Sequence, residues 1–372
     1  LPVCPIHDLI IKDSDLVVAT HGRSFWILDD ITPLRQAHDS IASSSAHLFE
    51  PRATKRYRVD SGFGNTPTPD YLNYLFTGPG YRSYRRIESP DGEKRDLLLD
   101  AGENPPDGVI FHYYLRDEPK EPVTLSILDA AGDVVNSYSS KPEDEKDTKI
   151  PAKAGANRFV WNMLYKGPEK LKEEGEGDIF AEFITSALSP KALPGVYTVK
   201  LEAGNQTLTQ EFEILEDPRK PAPLQDLKAQ FDLKRQIRDT VSELHTMLNE
   251  LRDIRSEVDE WLERANMHGE NRDISDAGLQ VKTKLEMVEN ELVQLKASSP
   301  LSYDNRLKEK LTSLAFMIDE ADAAPTFGSY EVYDDLQTRV ATQSDLLKRI
   351  KKEDLPAFNR KVREAGIPGI VV

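Results

Sequence analysis

Apolar and polar residues alternate in short runs over the first 216 positions of this chain, then change to spacings of three and four residues that persist almost to the C-terminus. The first period predicts strands and the second amphipathic helices. The earliest strong signal is DLVVATHGRSFWILDDITPL at 15–34. Two strand-type runs, Leu16 to Ala19 and Phe25 to Leu28, flank a turn at His21-Gly22, where glycine supplies the positive φ a tight hairpin asks for. A lone hairpin is marginal in water. This one therefore predicts a larger sheet, with almost nothing upstream to supply it. The first residue is Leu1 rather than Met, so the chain reads as the C-terminal piece of a longer protein.

Residues 36–95 carry Gly, Pro and Asn with little periodicity, as in SGFGNTPTPDYLNY and TGPGYRSYRR, and are expected to form an irregular connector. A connector of that length is usually packed over a neighbour or functional. Its Tyr71, Tyr74, Tyr81, Arg82 and Tyr84 are the candidate binding surface of the chain, for a carbohydrate or a protein ligand. The simpler reading is that these amphipathic rings cover a seam.

From 96 to 216 the pattern is all-β. GVIFHYYL, VTLSILDAAGDVVNSYS, NRFVWNM and GVYTVKLEAGNQTLTQEFEIL are short strands separated by turn signals, a spacing that suggests a β-sandwich. Alternation places Tyr197, Val199 and Leu201 on one face and Val196, Thr198 and Lys200 on the other. Trp161 reads as a core residue of that sandwich rather than a sugar platform. The polar insert at 166–190 reads as a mobile loop.

DPRKPAP at 217–223 reads as a linker, and 217–372 as a helical bundle. Leu227, Phe231, Ile237, Val241, Leu244, Leu248, Leu251, Val258 and Leu262 define one helix of about 40 residues. A second is marked by Leu279, Leu285, Val288, Leu292 and Leu295, a third by Leu307, Leu311, Leu314 and Ile318. The fourth carries Tyr333, Leu336, Val340, Leu347 and Ile350. Asp354 is then the expected N-cap of a short last helix with Pro356 in its first turn. Short loops between the long helices suggest an antiparallel four-helix bundle. The same stripe also suits a coiled-coil dimer.

Composition narrows the chemistry. Lys and Arg number 48 against 64 Asp and Glu, a net charge of −16, which argues against nucleic acid as a partner. One cysteine, Cys4, leaves no intrachain disulfide and no multi-cysteine metal site. No apolar run approaches the roughly 20 residues of a membrane span. Glu243-Leu244-His245 has the wrong spacing for a di-metal bundle, which needs Glu-x-x-His. No Ser/His/Asp triad, phosphate-binding glycine loop, zinc spacing or Ser-x-Asp-x-Gly-x-Thr-Trp repeat is present. Asp29 and Asp30 are paired carboxylates, as glycoside hydrolysis requires, but neighbours on a strand point to opposite faces. A turn or cap suits them better. No catalytic residue, cofactor or metal site is assigned.

HDLIIKDSDLVVATHGRSFWILDDITPLRQ at 7–36, PPDGVIFHYYL at 105–115, AGANRFVWNMLYKGP at 154–168, LPGVYTVKLEAG at 193–204, APTFGSYEVYDDL and the C-terminal LPAFNRKVREAGIPGIVV occur in an order that resembles the C-terminal region of large bacterial sortilin-like, glycosyl-hydrolase-like proteins. Those are β-propellers of bacterial-neuraminidase-type (BNR) repeats. The β-region further resembles the Ig-like module of the flagellar hook-capping protein. The resemblance implies a multidomain β + α chain: a terminal-blade remnant of a β-propeller at 1–35, an Ig-like β-sandwich and a helical bundle. It also implies a secreted or periplasmic protein whose main partner is its own upstream propeller. Two functions are compatible with it. The chain is a non-catalytic structural and interaction region that closes and braces the propeller, or it is an accessory part of a glycoside hydrolase whose catalytic residues lie in the missing propeller.

Overall fold

The structure, a computed structural model, describes residues 3–57, 63–64, 71–76, 81–88, 94–99, 105–144, 147–172, 187–219, 221–267, 272–295 and 304–366. It is mixed β and α, and it divides into two compact units. One holds Leu1–Tyr165 and Ala192–Pro221; the other holds Lys166–Lys191 and Ala222–Val372. The chain thus passes between units three times, at 165/166, 191/192 and 221/222. Only the last passage coincides with the Pro-rich 217–223 stretch.

The first unit opens with a three-stranded antiparallel sheet in the order β1(Ile6–Lys12), β2(Asp15–Thr20), β3(Phe25–Leu28). β2 and β3 are the expected hairpin, and Gly22 sits in its turn at φ +67°. The strand ahead of them has little local signal. HDLIIK becomes a strand only through its pairing with β2, where Leu9 meets Val18 and Ile10 meets Val17.

Two further sheets share one core. β4(Ala46–Leu48) and β13(Gly155–Trp161) flank β10(Val109–Leu115). The five-stranded sheet runs β12(Val134–Ser139), β11(Thr124–Leu128), β14(Gly195–Ala203), β15(Gln206–Leu215), β5(Thr54–Lys55), with only β15 and β5 parallel. Phe111 and Tyr113 from the first sheet and Leu125, Val199, Leu201 and Phe212 from the second are buried in that core. As the alternation requires, Tyr197, Val199 and Leu201 point inward while Val196 stays exposed. Trp161 is fully buried, and its Nε1 donates to the Leu164 carbonyl at 3.0 Å. It is a core residue. The Asp129 carboxylate accepts from the Ala131 and Asp133 amides and fixes the β11–β12 turn. Burial raises the hydroxyls of Tyr113 and Tyr138, the latter to about 12, so both phenols stay neutral in the core.

The stretch 36–95 differs from the irregular connector that its turn residues imply. It holds α2(Asp39–Ser43) after the short α1(Thr32–Gln36). It then contributes β4, β5 and a separate antiparallel sheet of β6(Phe63–Gly64), β7(Leu72–Phe76), β8(Tyr81–Glu88) and β9(Lys94–Leu98). Local periodicity misses such strands because β4 and β5 are defined by partners far along the chain, Tyr113↔Leu48 and Ile214↔Thr54.

The second unit is helical: α3(Leu224–Met267), α4(Arg272–Leu292), α5(Leu307–Ile318), α6(Phe327–Arg349), a π-helical turn Ile350–Asp354 and α7(Leu355–Glu364). At 44 residues, α3 is about 66 Å long. The helices bury one shared stripe, including Ile237, Leu244, Leu251, Leu285, Leu311 and Val340. Leu279 and Leu295, expected on that stripe, are exposed. In α4 the buried phase is Ile274, Gly278, Val281, Leu285, Val288, Leu292; Leu279, one position out of phase, turns to solvent, and Leu295 lies past the end of the helix. Asp354 is also not an N-cap. Its backbone is helical and its side chain makes no capping bond, because α6 runs through the π-turn into α7 without a break.

The described part of the 166–190 insert packs along α3. Leu171 and Leu188 belong to the helical core. Ser242 Oγ accepts from the Glu169 amide, and Asn249 accepts from the Lys172 amide and donates to the Lys170 carbonyl. His245 Nδ1 donates to the Glu169 carbonyl at 2.6 Å. A polar strap becomes ordered here because the helix satisfies its backbone groups with side chains. Residues 173–186 lie outside the described residues.

Candidate functional site

The β1–β3 sheet is the most unusual surface of the first unit. Registers Leu9↔Val18↔Trp26 and Ile11↔Leu16↔Leu28 put one apolar set on one face, and Ile10↔Val17↔Ile27 with Ala19↔Phe25 put another on the opposite face. Both faces therefore carry large hydrophobic side chains. Phe25 is 73% exposed, Ile27 60% and Leu9 55%. Contiguous apolar surface of this kind is uncommon on a monomer, and strands apolar on both faces are the pattern of a sheet covered on both sides.

Polar contacts fix the base of this sheet. Asp15 Oδ1 accepts from the Asp30 amide at 2.9 Å and from the Arg52 guanidinium at 2.8 Å. The Ile31 amide bonds to the Ser14 carbonyl. At the hairpin end, His21 Nδ1 and His7 Nε2 lie 3.0 Å apart with their rings stacked. One nitrogen of the pair then donates and the other accepts. Trp26 Nε1 donates to the Arg23 carbonyl.

Asp29 and Asp30 do not form an acid–base pair. Asp30 has φ +59°, its Oδ1 accepts from the Thr32 amide, and its buried Oδ2 lies 3.2 Å from His112 Nε2 on β10. Burial pushes its carboxyl up, but the close approach of His112 and the hydrogen bond from Thr32 outweigh that and hold it below the ordinary value. Asp29 is raised, chiefly by burial and then by Asp15. A depressed carboxylate adds stability above the unfolded-state pKa of about 3.9, and that stability is lost as pH falls through the lower native value. Asp30→Asn keeps a residue that tolerates positive φ and removes the charge. It should cost about 1.5 kcal/mol at neutral pH and make stability fall less steeply below about pH 4, as read by urea unfolding across a pH series. An unchanged acid limb would refute this role.

The five candidate binding residues are spread over the β6–β9 sheet. Tyr71 precedes β7 and is exposed, as is Tyr74. Register Tyr74↔Ser83 against Asn73↔Tyr84 puts Tyr74 on one face and Arg82 with Tyr84 on the other. Arg82 is exposed, whereas Tyr84 is only 5% exposed and its hydroxyl is pushed up by burial, then by Asp96. The side chain of Tyr81 lies outside the described residues. Tyr74 and Arg82 thus do not share a platform.

The chain matches no family model, no curated protein and no solved structure. Its function must be argued from its own surfaces. No group of His, Cys, Asp and Glu among the described residues could hold a metal ion, and no helix among them is long and apolar enough to cross a membrane. The β1 part of the apolar sheet, Ile6 to Ile11, escapes a reading of the sequence. The apolar run Leu9-Ile10-Ile11 is its only signal.

Proposed function

We propose that this chain is the non-catalytic structural and interaction region of a larger, secreted or periplasmic β-propeller protein of the sortilin-like, glycosyl-hydrolase-like type. In this reading β1–β3 is the remnant of the last blade, the two sheets sharing the β core are an Ig-like β-sandwich, and α3–α6 are an antiparallel four-helix bundle. The observation that carries it is the three-stranded sheet with exposed hydrophobic side chains on both faces. A propeller blade is a short antiparallel sheet that packs against a neighbour on each side, so its strands need apolar residues on both. The partner of this surface is therefore β-structure of the same protein. The rival reading, an accessory part of a glycoside hydrolase, draws on the exposed Tyr71 and Tyr74.

Two measurements test the proposal. Hydrogen exchange on the isolated chain should place amides 15–28 in the fastest class, with 196–215 and 227–262 protected. Protection of the hairpin in a monomer would remove the uncovered-blade reading. Purified chain should not turn over aryl-glycosides; measurable turnover would replace the non-catalytic reading with the rival.

A further inference from the structure

In the helical unit, α4 and α6 leave a groove of about 460 Å³ beside the π-turn. That volume falls within the roughly 300–1,000 Å³ of small-molecule sites. Its floor is apolar, formed by Val288, Leu346 and Ile350, with the exposed thioether of Met287 at the rim.

The charges around it are arranged unevenly. Asp354 is paired with Lys284 at 2.7 Å, and Glu291 is paired with Arg339. Both acids of the groove are thereby neutralised. Arg349, which also lines it, has no acid within ion-pair distance among the described residues. A chain of net charge −16 thus presents an uncompensated guanidinium beside an apolar floor.

The backbone adds an independent observation. Ile350–Asp354 is a π-turn in which the Leu355 amide bonds to the Ile350 carbonyl. One inserted residue rotates the downstream side chains by about 100° around the helix, and such insertions are rare and concentrate at functional sites. Here the insertion lies in the wall of the groove.

We propose that this groove binds a small amphipathic anion, an aliphatic or aromatic carboxylate whose apolar body lies on Val288, Leu346 and Ile350 and whose carboxylate pairs with Arg349. Guanidinium and carboxylate match in a planar, bidentate geometry, and the flexible Met287 adapts to the shape of the body. The site is independent of the β1–β3 surface and of the function proposed for it.

The test is calorimetric titration of the whole chain with decanoate and decyltrimethylammonium below their micelle concentrations and decan-1-ol below its solubility limit. Decanoate should bind saturably at one site, at least tenfold more tightly than the alcohol or the cation. Arg349→Gln and Met287→Glu, both at exposed positions, should each weaken decanoate at least tenfold with helical circular dichroism unchanged. In methyl-labelled protein the Met287 signal should move on titration while those of the exposed Met267 and Met317 stay. Absence of saturable binding would overturn the proposal. So would equal affinity for the three probes, binding that survives both substitutions, or binding that leaves the Met287 signal in place, as it would if decanoate settled on the apolar sheet.

Discussion

Trp161→Ala should destabilise the β core by about 3–5 kcal/mol, the range for deleting a large aromatic side chain from a packed interior. Trp161 is fully buried and packs edge-on against Tyr197 and Phe212, so it joins the β4–β10–β13 sheet to the five-stranded one in their shared core. Its Nε1 is the donor to the Leu164 carbonyl, and the alanine variant leaves that carbonyl without this partner inside the core. Trp161→Phe retains most of the packing and loses the hydrogen bond with part of the ring volume, so it should cost about 1–2 kcal/mol. Urea unfolding followed by near-ultraviolet circular dichroism separates the two variants. Equal losses would mean that the hydrogen bond, not the ring volume, dominates. A loss below about 1 kcal/mol in the alanine variant would contradict the assignment of Trp161 to the core.

A second large effect is expected at Glu289. This side chain is 1% exposed and holds two guanidinium groups, Arg252 at 2.8 Å and Arg255 at 2.5 Å. Glu289→Ala leaves the largely buried Arg252 without its carboxylate and should cost about 3–5 kcal/mol, as breaking buried pairs does elsewhere. Arg255 is nearer solvent and can rehydrate, so the lower end of that range is expected. Replacing all three with Met should be close to neutral, because the desolvation cost of the three charges disappears with their attraction. Helical circular dichroism against urea reads both. A single variant more stable than the triple would refute the idea that the cost lies in the cations that lose the Glu289 carboxylate.

A large part of the architecture is legible in the residue pattern. Period-2 runs with Asp-Ala-Ala-Gly-Asp and Ala-Gly-Asn between them specify the hairpins β11–β12 and β14–β15, because each strand and its turn are neighbours in the chain. The helices α3, α5 and α6 are equally legible: Ile237, Leu244, Leu251, Leu311, Leu336 and Val340 are buried as their spacing requires. Where a helix pattern misleads, the cause is phase. Leu279 matches the apolar alphabet but stands one residue away from Gly278, which faces the side chain of Leu262. Only the packed neighbour decides which of the two is inward.

The candidate sites are less legible. Tyr74 and Tyr84 look alike in the sequence, yet pairing with β8 and β9 sends them to opposite faces and buries one. Asp30 reads as half of an acid pair or a cap, and its partner His112 lies 82 positions further on, beyond any local pattern. The groove beside Arg349 depends on a π-turn, and neither Ile350 nor Lys351 signals an inserted residue.

By itself, then, the sequence determined what short-range periodicity and turn chemistry can encode: β first, helices after, most strands and helices with their buried faces, and a net charge of −16. Tertiary structure alone decided what depends on partners distant in the chain. It paired HDLIIK with β2 to make an apolar sheet exposed on both faces. It drew Leu171 and Leu188 into the helical core, and it left Arg349 over an apolar floor with no acid partner among the described residues. These features arise from hydrogen-bond registers and burial between segments tens of residues apart, and no local pattern of residues carries that information.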